Sequence, residues 1–217
     1  MSKHLLRDIS NLADQLILIG NRCEDAFGKA IESILARDAE SARQIVEGDS
    51  VIDALEVQLE ESALKILALY APVASDLRFI VAAIKINNDL ERIGDIASSI
   101  AKRAIDLDCL KPTSPPLDFA EMAQRTRLMV REAIQCMVQR DEQRARALMA
   151  MDDKVDDLNR KILASLEQRM AEEPEAVPAL LRWANVARLV ERIADYSTNI
   201  AEDIIYLEEG DIVRHAN

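Results

Sequence analysis

The segment Glu-Arg-Ile-x-Asp occurs twice in the chain, beginning at Glu91 and again at Glu191, and it ends at Asp95 and Asp195. In a helix, residues i and i+4 lie one above the other on the same face, so each copy stacks two carboxylates. The neighbouring positions are largely apolar, which predicts that this face is buried. Like charges in such a place are unfavourable without a compensating cation. Each copy therefore predicts a bound metal ion.

A second acidic motif, Asp-x-x-x-Asp, lies on the preceding predicted helix of each half. Consecutive helices joined by a short break pack antiparallel, so the two carboxylate pairs of one half can face each other. Four converging carboxylates form an all-oxygen site for hard or intermediate cations, and such a site discriminates poorly among Mg, Mn, Fe and Zn. The predicted metal ligands are Asp49, Asp53, Glu91, Asp95, Asp152, Asp156, Glu191 and Asp195.

Three further residues on these helices are possible metal ligands: Glu56, Asn199 and Glu202. In the first half, Ser99 and Lys102 stand where the second half has Asn199 and Glu202. Because an ammonium group repels a cation, we expect the second-half site to bind metal more tightly. Acidic pairs at this spacing also occur on solvated helix faces, so a metal-free structural bundle is the alternative. The duplication of the pairs at matched positions favours metal.

The composition is that of long packed helices. Of the 217 residues, 49% are apolar and only 3% aromatic, with five glycines and six prolines. The net charge of −12 argues against a nucleic-acid partner. Cys23, Cys109 and Cys136 form no close pair, which predicts a reducing compartment. The N-terminus does not resemble a signal peptide, and no apolar run could span a bilayer, so we expect a cytoplasmic protein with membrane contact only through partners.

Helical periodicity predicts an all-α fold of six long helices, with Asp38, Ser75 and Asp141 as N-caps. A proline-rich stretch at 111–117 separates two similar sets of three helices. Gly210 is expected just beyond the last helix, which should end near Glu209. The predicted organisation is a first three-helix bundle at 1–110, a linker at 111–117 and a second three-helix bundle at 118–217.

The sequence lacks the motifs of most enzymes. His4 and His215 lie near the termini, away from the acidic stripes, and no Glu-x-x-His pair of a di-iron protein is present. There is no Gly-rich phosphate loop, no Cys–His pair and no nucleophile elbow. We therefore expect a protein that is not an enzyme. A hydrolase that uses carboxylate-bound metal remains the alternative.

With these motifs in order and in duplicate, the chain resembles the PhoU family of phosphate-signalling regulators over nearly its whole length. The resemblance is sharpest at 72–78, 89–95 and 191–202. It implies two three-helix bundles and multinuclear metal clusters at the acidic motifs. It also implies a cytoplasmic adaptor, often a homodimer, between the ATPase subunit of the phosphate ABC transporter and a membrane sensor histidine kinase. Such an adaptor represses the phosphate-starvation response.

The chain departs from the family pattern after each acidic motif. In the first half the usual histidine is absent, and 96–101 reads Ile-Ala-Ser-Ser-Ile-Ala. In the second half Tyr196 replaces the histidine, while Asn199 and Glu202 are kept. These departures imply a first-half site that holds fewer ions or holds them more weakly.

Overall fold

The computed structural model describes the chain from Lys3 to Glu209, with side chains described as far as Leu207. Over this range the protein consists of α-helices and one short 3-10 helix, and no strand is present. The all-α prediction is thus confirmed. The helices are α1 (Lys3–Ala36), α2 (Ala39–Tyr70), α3 (Ala74–Asp108), α4 (Phe119–Gln139), α5 (Glu142–Glu172) and α6 (Val177–Glu209), with the 3-10 helix at Pro174–Ala176.

Two of the predicted helix caps are formed by aspartate side chains. The carboxylate of Asp38 accepts hydrogen bonds from the backbone N–H groups of Glu40 and Ser41, at 3.1 and 3.0 Å. Asp141 accepts one from the N–H of Arg144 at 3.0 Å. Both satisfy N–H groups that the helix itself leaves without a partner. The same device thus starts the second helix of each half.

The prediction of a Ser75 cap was wrong. The helix α3 begins at Ala74, so Ser75 lies inside the first turn, and no side chain caps this terminus. Helix α6 begins at Val177, and Pro178 lies in its first turn, where a proline is tolerated. Gly210 lies outside the described residues.

The helices pack as two sets of three. In the first half α1, α2 and α3 contact one another, and in the second half α4, α5 and α6 do the same. The contacts of α3 with α6 and of α1 with α4 join the halves. Because α2 packs on α1 and α3, and α5 packs on α4 and α6, these two helices form opposite outer layers. The boundaries at 110 and 118 stay a prediction.

The helices α3 and α6 cross in antiparallel orientation at the joint between the halves. Lys85, near the start of α3, places its Nζ 3.3 Å from the Oδ1 of Asp203, near the end of α6. At the other end of the crossing, Arg182 donates to Asp106 at 3.2 Å. The late part of each helix therefore lies beside the early part of the other. As a result, the polar residues that follow the acidic motif of one helix lie near the beginning of the other helix.

Candidate metal centre

In the first half, three of the predicted ligands converge between α2 and α3. Asp49 and Asp53 lie one turn apart on α2, and Asp95 faces them from α3. One oxygen from each of the three lies within 4.8 Å of the others. Among the described side chains, no second group of three acidic, histidine or cysteine residues comes this close. Three carboxylate oxygens at this separation can share one divalent cation or bridge two.

A close approach of the two helices makes this convergence possible. Gly94 precedes Asp95 on α3 and faces the buried Ile52 of α2, and a Cβ added to Gly94 would lie 3.1 Å from the Cδ1 of Ile52. Ala194 and Val155 occupy the corresponding places in the second half. The first half thus pairs the larger isoleucine with glycine, and the second half pairs the smaller valine with alanine.

The first-half carboxyl groups are held in an environment that disfavours their charge. Burial raises the pKa of Asp49 above its usual range, and the charges of Asp53 and Asp95 raise it further. Lys102 acts in the opposite direction, so its ammonium lies close enough to influence this group. Burial and the charge of Asp95 also raise the pKa of Glu91. A bound cation would relieve both the desolvation and the repulsion.

Arg92 compensates part of the negative charge of Glu91 and Asp95. Its guanidinium lies 3.4 Å from a carboxylate oxygen of Glu91 and 3.4 Å from one of Asp95. The arginine side chain is half exposed, so these ion pairs are screened by water and weak.

In the second half the four predicted ligands also influence one another. Burial and the charges of nearby carboxylates raise the pKa of Asp152 to about 7. Among these carboxylates, Asp156, Asp195 and Glu191 raise the pKa of Asp152 the most. Desolvation and the other acidic groups likewise raise the pKa of Glu191 and of Asp195. The Oδ1 of Asp152 is buried without a hydrogen-bond partner, so this site has an acceptor that a cation could satisfy.

Two of the further candidate ligands, Asn199 and Glu202, lie on α6 beyond Asp195. They line a cleft that Glu56 of the first half also lines. Because α6 runs antiparallel to α3, residues one or two turns beyond Asp195 face the early part of α3 and the adjoining part of α2. The tighter metal binding expected of the second half stays a prediction.

Sequence reasoning missed the role of Asn87 beside this cleft. Its Nδ2 donates to the backbone oxygen of Glu56 at 3.0 Å and to the Oε1 of the same residue at 3.4 Å. The amide thus orients a candidate ligand. An asparagine between the buried Ile86 and Leu90 was the signal available in the sequence.

The remaining observations concern the two histidines and the possibility of a membrane-spanning helix. His4 is exposed near the start of α1, and His215 lies outside the described residues. No helix in the described part of the chain combines the length and the apolar character needed to cross a bilayer.

Comparisons with known proteins found matches over both halves of the chain. The family model of the PhoU domain matches the chain twice, over residues 16–104 and 119–204. The phosphate-specific transport system accessory protein PhoU homolog of Aquifex aeolicus is 36% identical over 211 residues, which cover 97% of this chain and 96% of that protein. PhoU of Serratia marcescens is 31% identical over 208 residues, covering 96% of this chain and 86% of that protein.

The same fold has been solved by crystallography. The crystal structure of PhoU from Pseudomonas aeruginosa matches with a TM-score of 0.90 and 32% identity, covering 94% of this chain and 99% of that chain. The phosphate transport system regulatory protein PhoU from Streptococcus pneumoniae also has a TM-score of 0.90, at 24% identity, over 96% of this chain and 99% of that chain. The names of the curated relatives describe accessory proteins of a transport system, in agreement with the prediction that this chain is not an enzyme.

Proposed function

The chain belongs to the PhoU family, and from this we propose that it is a metal-binding, cytoplasmic regulator of phosphate uptake and signalling. In this role it connects the ATPase subunit of a phosphate ABC transporter with a phosphate-sensing histidine kinase and represses the phosphate-starvation response. It acts as a homodimer. The names of its relatives, which describe accessory proteins of a phosphate-specific transport system, support the phosphate role.

The observation that carries the metal part of the proposal is the convergence of Asp49, Asp53 and Asp95. The raised pKa of Asp152 in the second half supports a matching site there. Bound Fe, Zn, Mn or Mg would neutralise both groups and fix α2 against α3 and α5 against α6. The result would be a rigid helical adaptor that presents its outer faces to two partners.

The test combines partner capture with metal analysis. Affinity-tagged protein is recovered from phosphate-replete cells, and the metal content of the bait is measured by elemental analysis. We expect divalent or trivalent metal on the bait, and the transporter ATPase and the histidine kinase among the captured proteins. The variant Asp49→Asn with Asp95→Asn should lose metal, whereas Asp108→Asn, an exposed change at the end of α3, should keep it. A metal-free bait would contradict the metal part, and capture of neither partner would contradict the adaptor role.

A further inference from the structure

The outer face of α2 carries a stripe of residues at alternating steps of three and four, the spacing by which one helix packs on another. The members of this outer stripe are Ala54, Val57, Glu61, Leu64 and Ala68, all of them exposed. Val57 is 51% and Leu64 is 54% exposed, although both side chains are apolar. The inner face of the same helix buries Ile52, Leu59 and Ile66 against α1 and α3. Helix α2 thus carries large apolar residues on two opposite faces, and the described part of the chain covers one of them.

The internal repeat shows that the fold itself does not require apolar residues on this face. Asp49 of α2 corresponds to Asp152 of α5. In that register the matching stripe of α5 consists of Asp157, Arg160, Ala164, Glu167 and Ala171. Exposed charged side chains, Arg160 and Glu167, stand where α2 has its two large apolar ones, and Arg160 forms an ion pair with Asp157. Since both helices occupy the same place in their sets of three, the apolar stripe of α2 fits contact with another molecule.

The charges at the outer stripe make it complementary to a second copy of itself. Glu61 and Lys65 lie one turn apart, with Leu64 between them, and both are exposed. Neither takes part in an ion pair among the described residues. A two-fold interface brings the same patch of both copies together, so it requires a surface that complements itself. In an antiparallel pair of α2 helices centred between these residues, Glu61 of each copy faces the partner's Lys65.

The other acidic residues of α2 beside the stripe are turned toward α3, away from such a pair. An oxygen of Asp53 lies within 4.8 Å of one of Asp95 on α3. Glu56 and Glu60 line the cleft that α3 and α6 also line. Within the outer stripe itself, Glu61 is the single acidic residue. Two copies can therefore approach along the stripe without placing these carboxylates against one another.

We propose that the outer stripe of α2 is the surface by which two copies of this chain associate, as an antiparallel pair of α2 helices around a two-fold axis. The proposal rests on the homodimer of the proposed function and names its interface. Leu64 lies near the axis, and Val57 of each copy packs near the partner's Ala68. Burial of these apolar side chains supplies the association free energy, and the two pairs of Glu61 with Lys65 set the register. The first halves meet at the centre, and the charged outer faces of α5 stay open to other partners.

Sedimentation velocity of the full chain over a range of protein concentrations tests this interface. Leu64→Glu and Val57→Arg introduce the residues that the repeat carries at Glu167 and Arg160, which α5 accommodates at the same place. We expect each variant to raise the dissociation constant of the dimer about ten-fold or more, because it replaces a buried apolar contact with a charge. The control Leu128→Glu makes the same change at a leucine of α4 that is 45% exposed, and it should associate as the wild type does.

Exchange of the two charges tests the antiparallel register. Glu61→Lys and Lys65→Glu each place like charges opposite one another across the axis, and each should weaken the dimer about two- to five-fold. The double variant restores opposite charges and should return the dissociation constant to that of the wild type. A double variant weaker than either single variant would overturn the register.

The outcomes separate this interface from the proposed function on which it rests. A dimeric wild type whose stripe variants stay equally dimeric overturns the interface alone, because the copies then meet elsewhere. A wild type that is monomeric at every concentration overturns both the interface and the homodimer. Should Leu64→Glu fail to fold by circular dichroism, Leu64→Ser removes the apolar contact without adding a charge and is judged by the same criterion.

Discussion

Gly94 of α3 lies so close to Ile52 of α2 that an added Cβ would meet the Cδ1 of Ile52 at 3.1 Å and its Cγ2 at 3.2 Å. The contact is located between the acidic residues of the two helices, because Asp49 and Asp53 flank Ile52 and Asp95 follows Gly94. The helix separation set here determines whether the carboxylates can share a cation.

The substitution Gly94→Ala tests this contact. Alanine favours a helix over glycine by about 1 kcal/mol, but overpacking costs about 1–3 kcal/mol, so the free energy of unfolding should fall slightly or stay level. Ile52→Val alone should cost about 0.5–1.5 kcal/mol through the lost methyl group. The double variant reproduces the Val155 and Ala194 pair of the second half and should be more stable than the sum of the two changes predicts, by about 0.5 kcal/mol or more. Strict additivity in urea unfolding would contradict the close contact.

The metal-free protein should become less stable as the pH rises through the range in which Asp152 ionises. In the folded state its pKa is about 7, against an ordinary value of 3.8. Between these values the folded protein binds more protons than the unfolded chain, so the free energy of unfolding falls with rising pH. Since the carboxyl is partly open to water, we expect roughly 1–2 kcal/mol and not the full linkage value.

The control for this pH effect is Asp152→Asn, which cannot ionise and should unfold with a flatter pH dependence between pH 5 and pH 8. Adding metal to the wild type should flatten the profile as well, because a cation replaces the proton. Thermal melts of chelator-treated protein across this range provide the measurement. A wild-type profile that rises with pH over the same interval would mean that Asp152 is ionised without cost.

Removal of metal should lower the melting temperature, because a ligand that binds only the folded state adds stability by mass action. At a free metal concentration of about 100 times Kd, this amounts to about 2.7 kcal/mol, or roughly 5–10 °C for a chain of this size. The comparison is between protein treated with a chelator and the same sample after a divalent cation is restored. Identical melting temperatures in the two states would count against metal sites inside the helical bundles.

Much of the fold could be predicted from local patterns. The apolar periodicity located the long helices, and an aspartate before each second helix identified the caps at Asp38 and Asp141. Matching the acidic stripes of consecutive helices predicted that Asp49, Asp53 and Asp95 lie close together, as they do in the structure. These features depend on residues near one another in sequence or on helices joined by a short turn, so the sequence determines them directly.

The relation between the two halves could not be predicted in this way. The sequence placed Asn199 and Glu202 with the second-half ligands because they follow Asp195 on the same helix. In the structure they line one cleft with Glu56 of the first half, since α6 crosses α3 in antiparallel orientation. The crossing depends on how the side-chain ridges of two distant helices fit together. The hydrophobic periodicity of either helix alone does not predict that fit.

A second joint between the halves depends on Glu24 of α1. Its Oε1 accepts hydrogen bonds from Arg127 at 2.6 Å and from Arg131 at 2.9 Å, both on α4. The Glu24 side chain is 17% exposed, so water competes with these bonds only in part. Desolvation raises the pKa of Glu24, but the two arginines outweigh it, and the pKa lies below its ordinary value. The contact therefore stabilises the protein at neutral pH, and this contribution is lost as the pH falls through the folded-state pKa.

We expect Glu24→Gln to lower the free energy of unfolding by about 1–2 kcal/mol at pH 7, because hydrogen bonds to a charged acceptor are stronger than those to a neutral one. The matched control is Glu121→Gln, which removes an exposed pair with Arg125 inside one helix and should change stability by less than about 0.5 kcal/mol. Urea unfolding followed by circular dichroism measures both. If Glu24 contributes chiefly to the joint between the halves, its variant should also broaden the transition or split it in two, since each half then unfolds more independently. A Glu24 variant as stable as the control, with one sharp transition, would show that the contacts of α3 with α6 hold the halves together without it.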